Sequence, residues 1–298
     1  MIDRTFQLVR GVGPWREKDL WARGILRWDQ FPAEGGAIAI SNKIDPLVRA
    51  AIDRARSALD AGDLAALKAL LPSREYWRLF SHFREQAVFF DIEAEDARNL
   101  RPTVVSLFDA TGLRSFIRDR NLEALPTALA QSPIWITFNG SSFDLPVLKR
   151  FFPELSSPLV HLDLRHLSRR VGLEGGLKRI EDQAGLSRPL HLRGVNGYDA
   201  VLLWRAYSQG GSLEALRILV EYNLYDAFQL RPLAEHCFNR MLDRFALAEE
   251  VEPRLSVLDR GELLYDVSKL LLAITPTSAD LALLDRLRSQ DRDVTQDR

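Results

Sequence analysis

Apolar positions along this 298-residue chain follow two rhythms, one helical and one alternating. From Asp45 to Leu71, the positions Leu47, Val48, Ala51, Ile52, Ala55, Leu59, Leu64, Leu67 and Leu71 keep helical spacing. The spacing breaks at Ala61-Gly62-Asp63 and stops at Pro72, which predicts two helices. Past Phe80 the runs shorten. Ala87 to Glu93, Thr103 to Phe108 and Leu113 to Ile117, with short polar connections, predict three antiparallel strands in a meander. Leu122 to Ala130 predicts a helix, and Ile134 to Phe138 a fourth strand, reached through that helix and so parallel to the first. Leu159 to Leu162 predicts a fifth, after which helices dominate. The longest is expected over Leu213 to Leu233, with Leu216, Leu219, Val220, Asn223, Ala227 and Leu230 on one face.

The expected fold is α/β: a five-stranded mixed sheet of order 3-2-1-4-5, flanked by helices. It occupies residues 81–240, with a helical segment at 1–80 and a helical extension at 241–298. That extension is expected to hold helical runs over Val257 to Ile274 and Ser278 to Leu287, and a disordered polar tail from Ser289.

Residues 1–31 carry Trp15, Trp21 and Trp28 around Gly11-Val12-Gly13-Pro14, read as a Gly-x-Gly turn that opens a helix at Pro14 and stops at Gly24. Backbone amides at such a turn can hold a phosphate. The pattern resembles the second half of a helix-hairpin-helix, a sequence-independent DNA-binding element, although the eight or so residues before the turn are short for a first helix. The plainer alternative is a small helical cap with tryptophans in its core.

Composition narrows the chemistry. Hydrophobic residues make up 46% of the chain, enough for a sizeable core. The formal charge of -1 gives no global attraction to polyanions, so a nucleic-acid partner needs a local basic surface or bound metal ions. Cys237 is the only cysteine, which excludes an intrachain disulfide and a multi-thiolate zinc site. No apolar run approaches the roughly 20 residues that span a bilayer, and the amino terminus lacks a signal-peptide core, so the default expectation is cytoplasmic with no membrane partner.

The chemistry concentrates in the first strand. Alternation puts Asp91 and Glu93 on one face, about 7 Å apart along the strand, with Ile92 on the other. Two acids leaving a buried strand together call for a cation. A further acid, Asp144, follows the fourth strand, where ligands collect in sheets of this kind. On the long helix, Tyr222 and Asp226 are four residues apart and stack one turn above the other. Hydrolysis of a phosphodiester puts negative charge on an attacking and a leaving oxygen, which two hard cations about 4 Å apart can neutralise. Magnesium and manganese select carboxylate oxygens.

Phe90-Asp91-Ile92-Glu93, Phe138-Asn139-Gly140-Ser141-Ser142-Phe143-Asp144 and Tyr222-Asn223-Leu224-Tyr225-Asp226 resemble the three motifs of the DnaQ-like (DEDDy) 3′→5′ exonucleases of the ribonuclease-H fold. With Asp163 to Arg170 and the amino-terminal segment, the nearest likeness is to the YprB-like branch of that family. The resemblance implies a hydrolase acting on DNA or RNA, at a single-stranded 3′ end, with two Mg²⁺ or Mn²⁺ ions. It implies that Asp91 bridges the metals, that Glu93 and Asp226 complete the nucleophile-side site, and that Asp144 acts mainly through water. Tyr222, a phenol with a pKa of about 10 when unperturbed, would orient the attacking water.

Gly11, Gly13, Asn139 and Lys178 are the candidate nucleic-acid contacts. Asn139 and Phe143 also read as supports of the second motif's loop, and Asp163 as a strand-end cap in preference to a metal ligand. Lys178, Arg179 and Arg188 could meet phosphates, though a solvated charged face is the commoner use of such residues. After Glu93 the chain continues Ala94-Glu95-Asp96 where many relatives have Thr and then Gly-Leu, which weakens the expected grip on a terminal base. Two other classes fit the same acids: a non-catalytic nucleic-acid adaptor on a nuclease fold, and a phosphohydrolase of small substrates.

Overall fold

The computed structural model describes residues 1–95, 100–186, 188–245, 252–258 and 266–273. The expected helical run Ser278 to Leu287 and the tail from Ser289 lie outside the described residues, as does Asp96. The chain divides into two compact units, one of residues 1–85 with 236–256, the other of residues 86–235 with 257–298.

The first unit is helical. Before the Gly11 to Gly13 turn there is only a 3₁₀ turn, Ile2–Arg4, so the first helix of a hairpin is missing. Helix α1 (Pro14–Ala22) starts after Gly13 with Pro14 in its first turn, where a missing N–H costs nothing. Helices α2 (Asp45–Asp60) and α3 (Leu64–Leu70) follow, then the one-turn α4 (Phe80–Phe83). Asp63 caps α3 by accepting from the Ala66 amide at 2.9 Å. Trp21 and Trp28 are buried, their indole N–H groups donating to the carbonyls of Arg4 (3.1 Å) and Thr5 (2.7 Å), whereas Trp15 is 77% exposed. At the centre Glu17 accepts from Thr5 Oγ1, the Phe6 amide, Gln7 Nε2 and Arg78, and Arg78 also pairs with Glu75.

The second unit is built on five strands: β1 (Ala87–Ala94), β2 (Pro102–Asp109), β3 (Gly112–Ile117), β4 (Ile134–Thr137) and β5 (Val160–Asp163). Their order is β3-β2-β1-β4-β5, with β1 antiparallel to β2 and parallel to β4, as the sequence pattern predicts. Because β1 is covered on both faces, it reads as a nearly continuous apolar run. Val88, Phe90 and Ile92 join one core with Leu125 and Leu129 of α5 (Leu125–Ala130) and with Val147 and Leu148 of α6 (Asp144–Phe151). A second core holds Val104, Ile117, Ala200 and Trp204 of α9 (Gly197–Gly210), and Leu216, Leu219 and Val220 of α10 (Leu213–Arg244). Between these helices lie α7 (Leu164–Arg170) and α8 (Leu177–Gln183).

Helix α6 begins at Asp144, with Pro146 in its first turn, where proline is tolerated. Helix α10 runs past Leu233 to Arg244 despite Pro232 inside it. Its later residues Leu233, Ala234, Cys237, Phe238, Met241 and Leu242 are all buried at helical spacing, which outweighs the hydrogen bond that Pro232 removes. Near the carboxyl end, Val257 and Leu258 are not helical, and α11 starts only at Val267 (Val267–Ala273), capped by Asp266.

Candidate active site

The site begins where β1 leaves the sheet. Asp91 and Glu93 point to the same side, and the register slips between Glu93 and Ala94, a bulge of the kind that re-aims side chains. Across from them α10 presents three residues within one turn. Asp226 comes together with Asp91 and Glu93, with carboxylate oxygens all within 4.8 Å of one another. Asn223, fully buried on the apolar face of the same helix, donates from Nδ2 to Asp91 Oδ2 at 2.8 Å. Tyr222 lines the cleft one turn before Asp226.

Asp144 approaches from the amino end of α6. It lines the same cleft, of about 480 Å³, but stands outside the group of three. The loop that delivers it is tightly built. Asn139 takes a positive φ of 63°, a conformation that asparagine tolerates. A Cβ on Gly140 would stand 2.0 Å from Thr137 Oγ1, so no larger residue fits. Asp163 accepts from the amides of Asn139 (2.8 Å), Ser141 (3.1 Å) and Arg165 (3.1 Å), so its carboxylate is a clamp and helix cap. The Asn139 side chain accepts from Arg165. Gly11, with φ of 100°, and Gly13 form the turn before α1, where the Gly11 carbonyl accepts from Arg16.

Burial and mutual repulsion dominate the electrostatics. Burial first, then Asp226, Asp144 and Glu93, hold the Asp91 carboxyl well above the usual carboxylate range. Glu93 is raised in the same way, by burial and then Asp226, with Lys178 opposing. Burial pushes Asp144 up to about 8, against backbone hydrogen bonds that lower it. Burial, then the surrounding carboxylates, also raise the Tyr222 phenol, which keeps its proton at any physiological pH.

Two cations answer these acids. Arg188 is buried in ion pairs with Asp226 and with Glu181, the latter at 2.7 Å, so it does not belong to a solvated face. Lys178 donates to the Tyr222 hydroxyl at 2.9 Å. Of the three basic candidates, Arg179 alone is exposed at the cleft. Glu95 pairs with Arg118 at 3.0 Å.

The donor set therefore suits hard divalent cations. Three carboxylates converge, with Lys178 and the Arg188 shared with Glu181 as the buried cations beside them among the described residues, and one carboxylate is already oriented by an amide. The family profile described as RNase_H superfamily matches residues 88–238, just over half of the chain, and it spans every acid of this cleft. The chain belongs to the RNase H superfamily. No curated protein and no solved structure matches it. Membership agrees with a nuclease acting on nucleic acid, and no helix among the described residues is long and apolar enough to cross a membrane.

Two roles in this RNase H-type site escape the sequence pattern. Asn223 gave a signal, a polar residue on an otherwise apolar helix face. The Arg188 to Asp226 pair gave none, since Arg188 lies between helices and no periodicity ties it to a residue 38 positions on.

Proposed function

We propose that this protein is a metal-dependent 3′→5′ exonuclease of DNA or RNA, of the DEDDy type. The observation that carries the reading is the convergence of Asp91, Glu93 and Asp226 within 4.8 Å in one cleft with Tyr222 and Asp144. Asp91, Glu93 and Asp226 would hold Mg²⁺ or Mn²⁺ directly, with Asp144 at the margin of the site. A bound pair of such ions supplies charge neutralisation at the attacking and leaving oxygens and favours deprotonation of water.

The chain's own residues do the rest. Asn223 fixes the rotamer of Asp91, and Arg188 with Glu181 fixes Asp226. Tyr222, a neutral phenol, orients the attacking water by hydrogen bonding and, because it keeps its proton, does not serve as a base. Arg179, exposed at the cleft, would meet a substrate phosphate. The direction of digestion and the YprB-like assignment rest on the likeness of the three motifs. In this reading the Gly11 to Gly13 turn adds sequence-independent contacts to the nucleic-acid backbone.

The test uses 5′-end-labelled single-stranded DNA and RNA, with Mg²⁺ or Mn²⁺ or chelator, beside Asp91→Asn and Asp226→Asn. The expected result is stepwise shortening from the 3′ end that needs metal and vanishes in both variants. Tight binding of the oligomers with no cleavage would replace the reading with an adaptor, and consumption of mononucleotides alone with a small-substrate phosphohydrolase.

A further inference from the structure

Lys178 sits in the first turn of α8, half-buried at the wall of the cleft. Its ammonium donates to the Val195 carbonyl and, at 2.9 Å, to the hydroxyl of Tyr222, and it lies 4.4 Å from that ring's centroid. An ammonium has three protons and no lone pair, so in this bond the phenol oxygen must be the acceptor. The phenolic hydrogen is then left to point elsewhere. Tyr222 is itself buried and lines the cleft, so the cleft with its carboxylates is where that hydrogen can find an acceptor.

We propose that Lys178 is a positioning residue that sets the polarity of Tyr222. Held by Val195 and donating to the phenol oxygen, it makes Tyr222 a hydrogen-bond donor toward the reacting water and denies it the role of acceptor. Lys178 therefore acts through Tyr222 and touches no phosphate. This inference rests on the nuclease reading for its kinetic consequence, but the bond itself does not.

The alternative role for a lysine in such a wall is direct contact with the substrate backbone, and the two predict different behaviour. A phosphate contact raises KM and makes it salt-dependent. A residue working through Tyr222 lowers kcat, leaves KM and its salt dependence unchanged, and loses its effect once the phenol oxygen is gone.

The experiment has two arms on the full chain. In the first, Lys178→Met, Tyr222→Phe, the double variant and Lys178→Arg are assayed on a single-stranded oligonucleotide. Lys178→Met should lower kcat by about tenfold, as loss of an outer partner commonly does. The double variant should be no slower than Tyr222→Phe, and Lys178→Arg should recover part of the loss. Additive losses, or a salt-dependent rise in KM, would overturn the proposal and assign Lys178 to the substrate.

The second arm needs no activity. With ¹³Cζ-labelled tyrosine, the resonance that disappears in Tyr222→Phe should shift in Lys178→Met and return toward its place in Lys178→Arg, while the other tyrosines stay put. An unmoved resonance would overturn the proposal whatever the kinetics. A moved resonance in a protein that cleaves nothing would leave the hydrogen bond standing and sink the nuclease reading.

Discussion

Each unit buries a cluster of charges, and the two clusters are built on opposite plans. In the helical unit, Glu17 takes hydrogen bonds from a hydroxyl, a backbone amide, a carboxamide and a guanidinium, and Arg78 is shared between Glu17 and Glu75. The Arg78 guanidinium also lies against the rings of Trp21, Trp77 and Phe245. In the sheet unit, Asp91, Glu93, Asp226 and Glu181 share the buried cations Lys178 and Arg188, and the carboxylates raise one another's pKa values. A buried carboxylate is tolerated where donors surround it. Where acids surround it instead, burial and repulsion oppose its charge, and an added cation would relieve both.

The largest effect should come from breaking the satisfied cluster. Glu17→Ala leaves Arg78 and three other donors short of a partner and should destabilise the protein by about 3 to 5 kcal/mol. Asp91→Asn, measured without metal, should leave stability unchanged or raise it, because it removes repulsion while the amide oxygen can still accept from Asn223. Calorimetric unfolding of both variants checks the contrast, and equal losses would erase it.

The pH dependence sharpens the same contrast. Folded, Asp144 titrates at about 8 and Asp91 and Glu93 well above the carboxylate range, against about 4 when unfolded. Between those values the folded chain holds protons that the unfolded chain has released, so stability falls as pH rises. Without metal, the contribution of these protons is fully present below about pH 4; that of Asp144 is lost as pH climbs through about 8, and those of Asp91 and Glu93 as it climbs through their own raised values. The unfolding temperature should drop over that window, by roughly 2 to 4 °C for each kcal/mol lost. Added Mg²⁺ or Mn²⁺ should restore it at the alkaline end. A metal-free protein that gains stability from pH 5 to 8 would contradict the assignment.

A small loss of stability is expected at Asn223. Replacing it with alanine removes one hydrogen bond to Asp91, a loss of about 1 kcal/mol. The functional cost should be larger, about 10- to 100-fold in metal affinity or rate, because Asp91 loses the partner that orients it. Parallel titrations and rate measurements on Asn223→Ala check this.

Much of the sheet unit was legible because its determinants are local. Alternation in β1 put Asp91 and Glu93 on one face, short polar connections forced the meander, and the helix between β3 and β4 made β4 parallel to β1. Four-residue spacing on α10 placed Tyr222 beside Asp226. What stayed hidden depends on contacts that carry no period. The amino terminus pairs with Glu252, 251 positions away, and Arg188 reaches Asp226 from a connection between helices. The hydrogen bond from Lys178 to the Tyr222 phenol likewise depends on how α8 packs, which charge patterning alone does not report. The run of α10 beyond Leu233 was not anticipated; burial of the residues after Pro232 outweighs the hydrogen bond that the proline removes.

The claim on which the rest depends is that the converging acids form a cation site. Titration of Mn²⁺ into the metal-free protein, followed by calorimetry at pH 8, tests it most directly, beside Asp91→Asn and Asp226→Asn. Saturable binding in the wild type that is lost in both variants is the predicted result. No binding in the wild type, or binding that both variants retain in full, would contradict it.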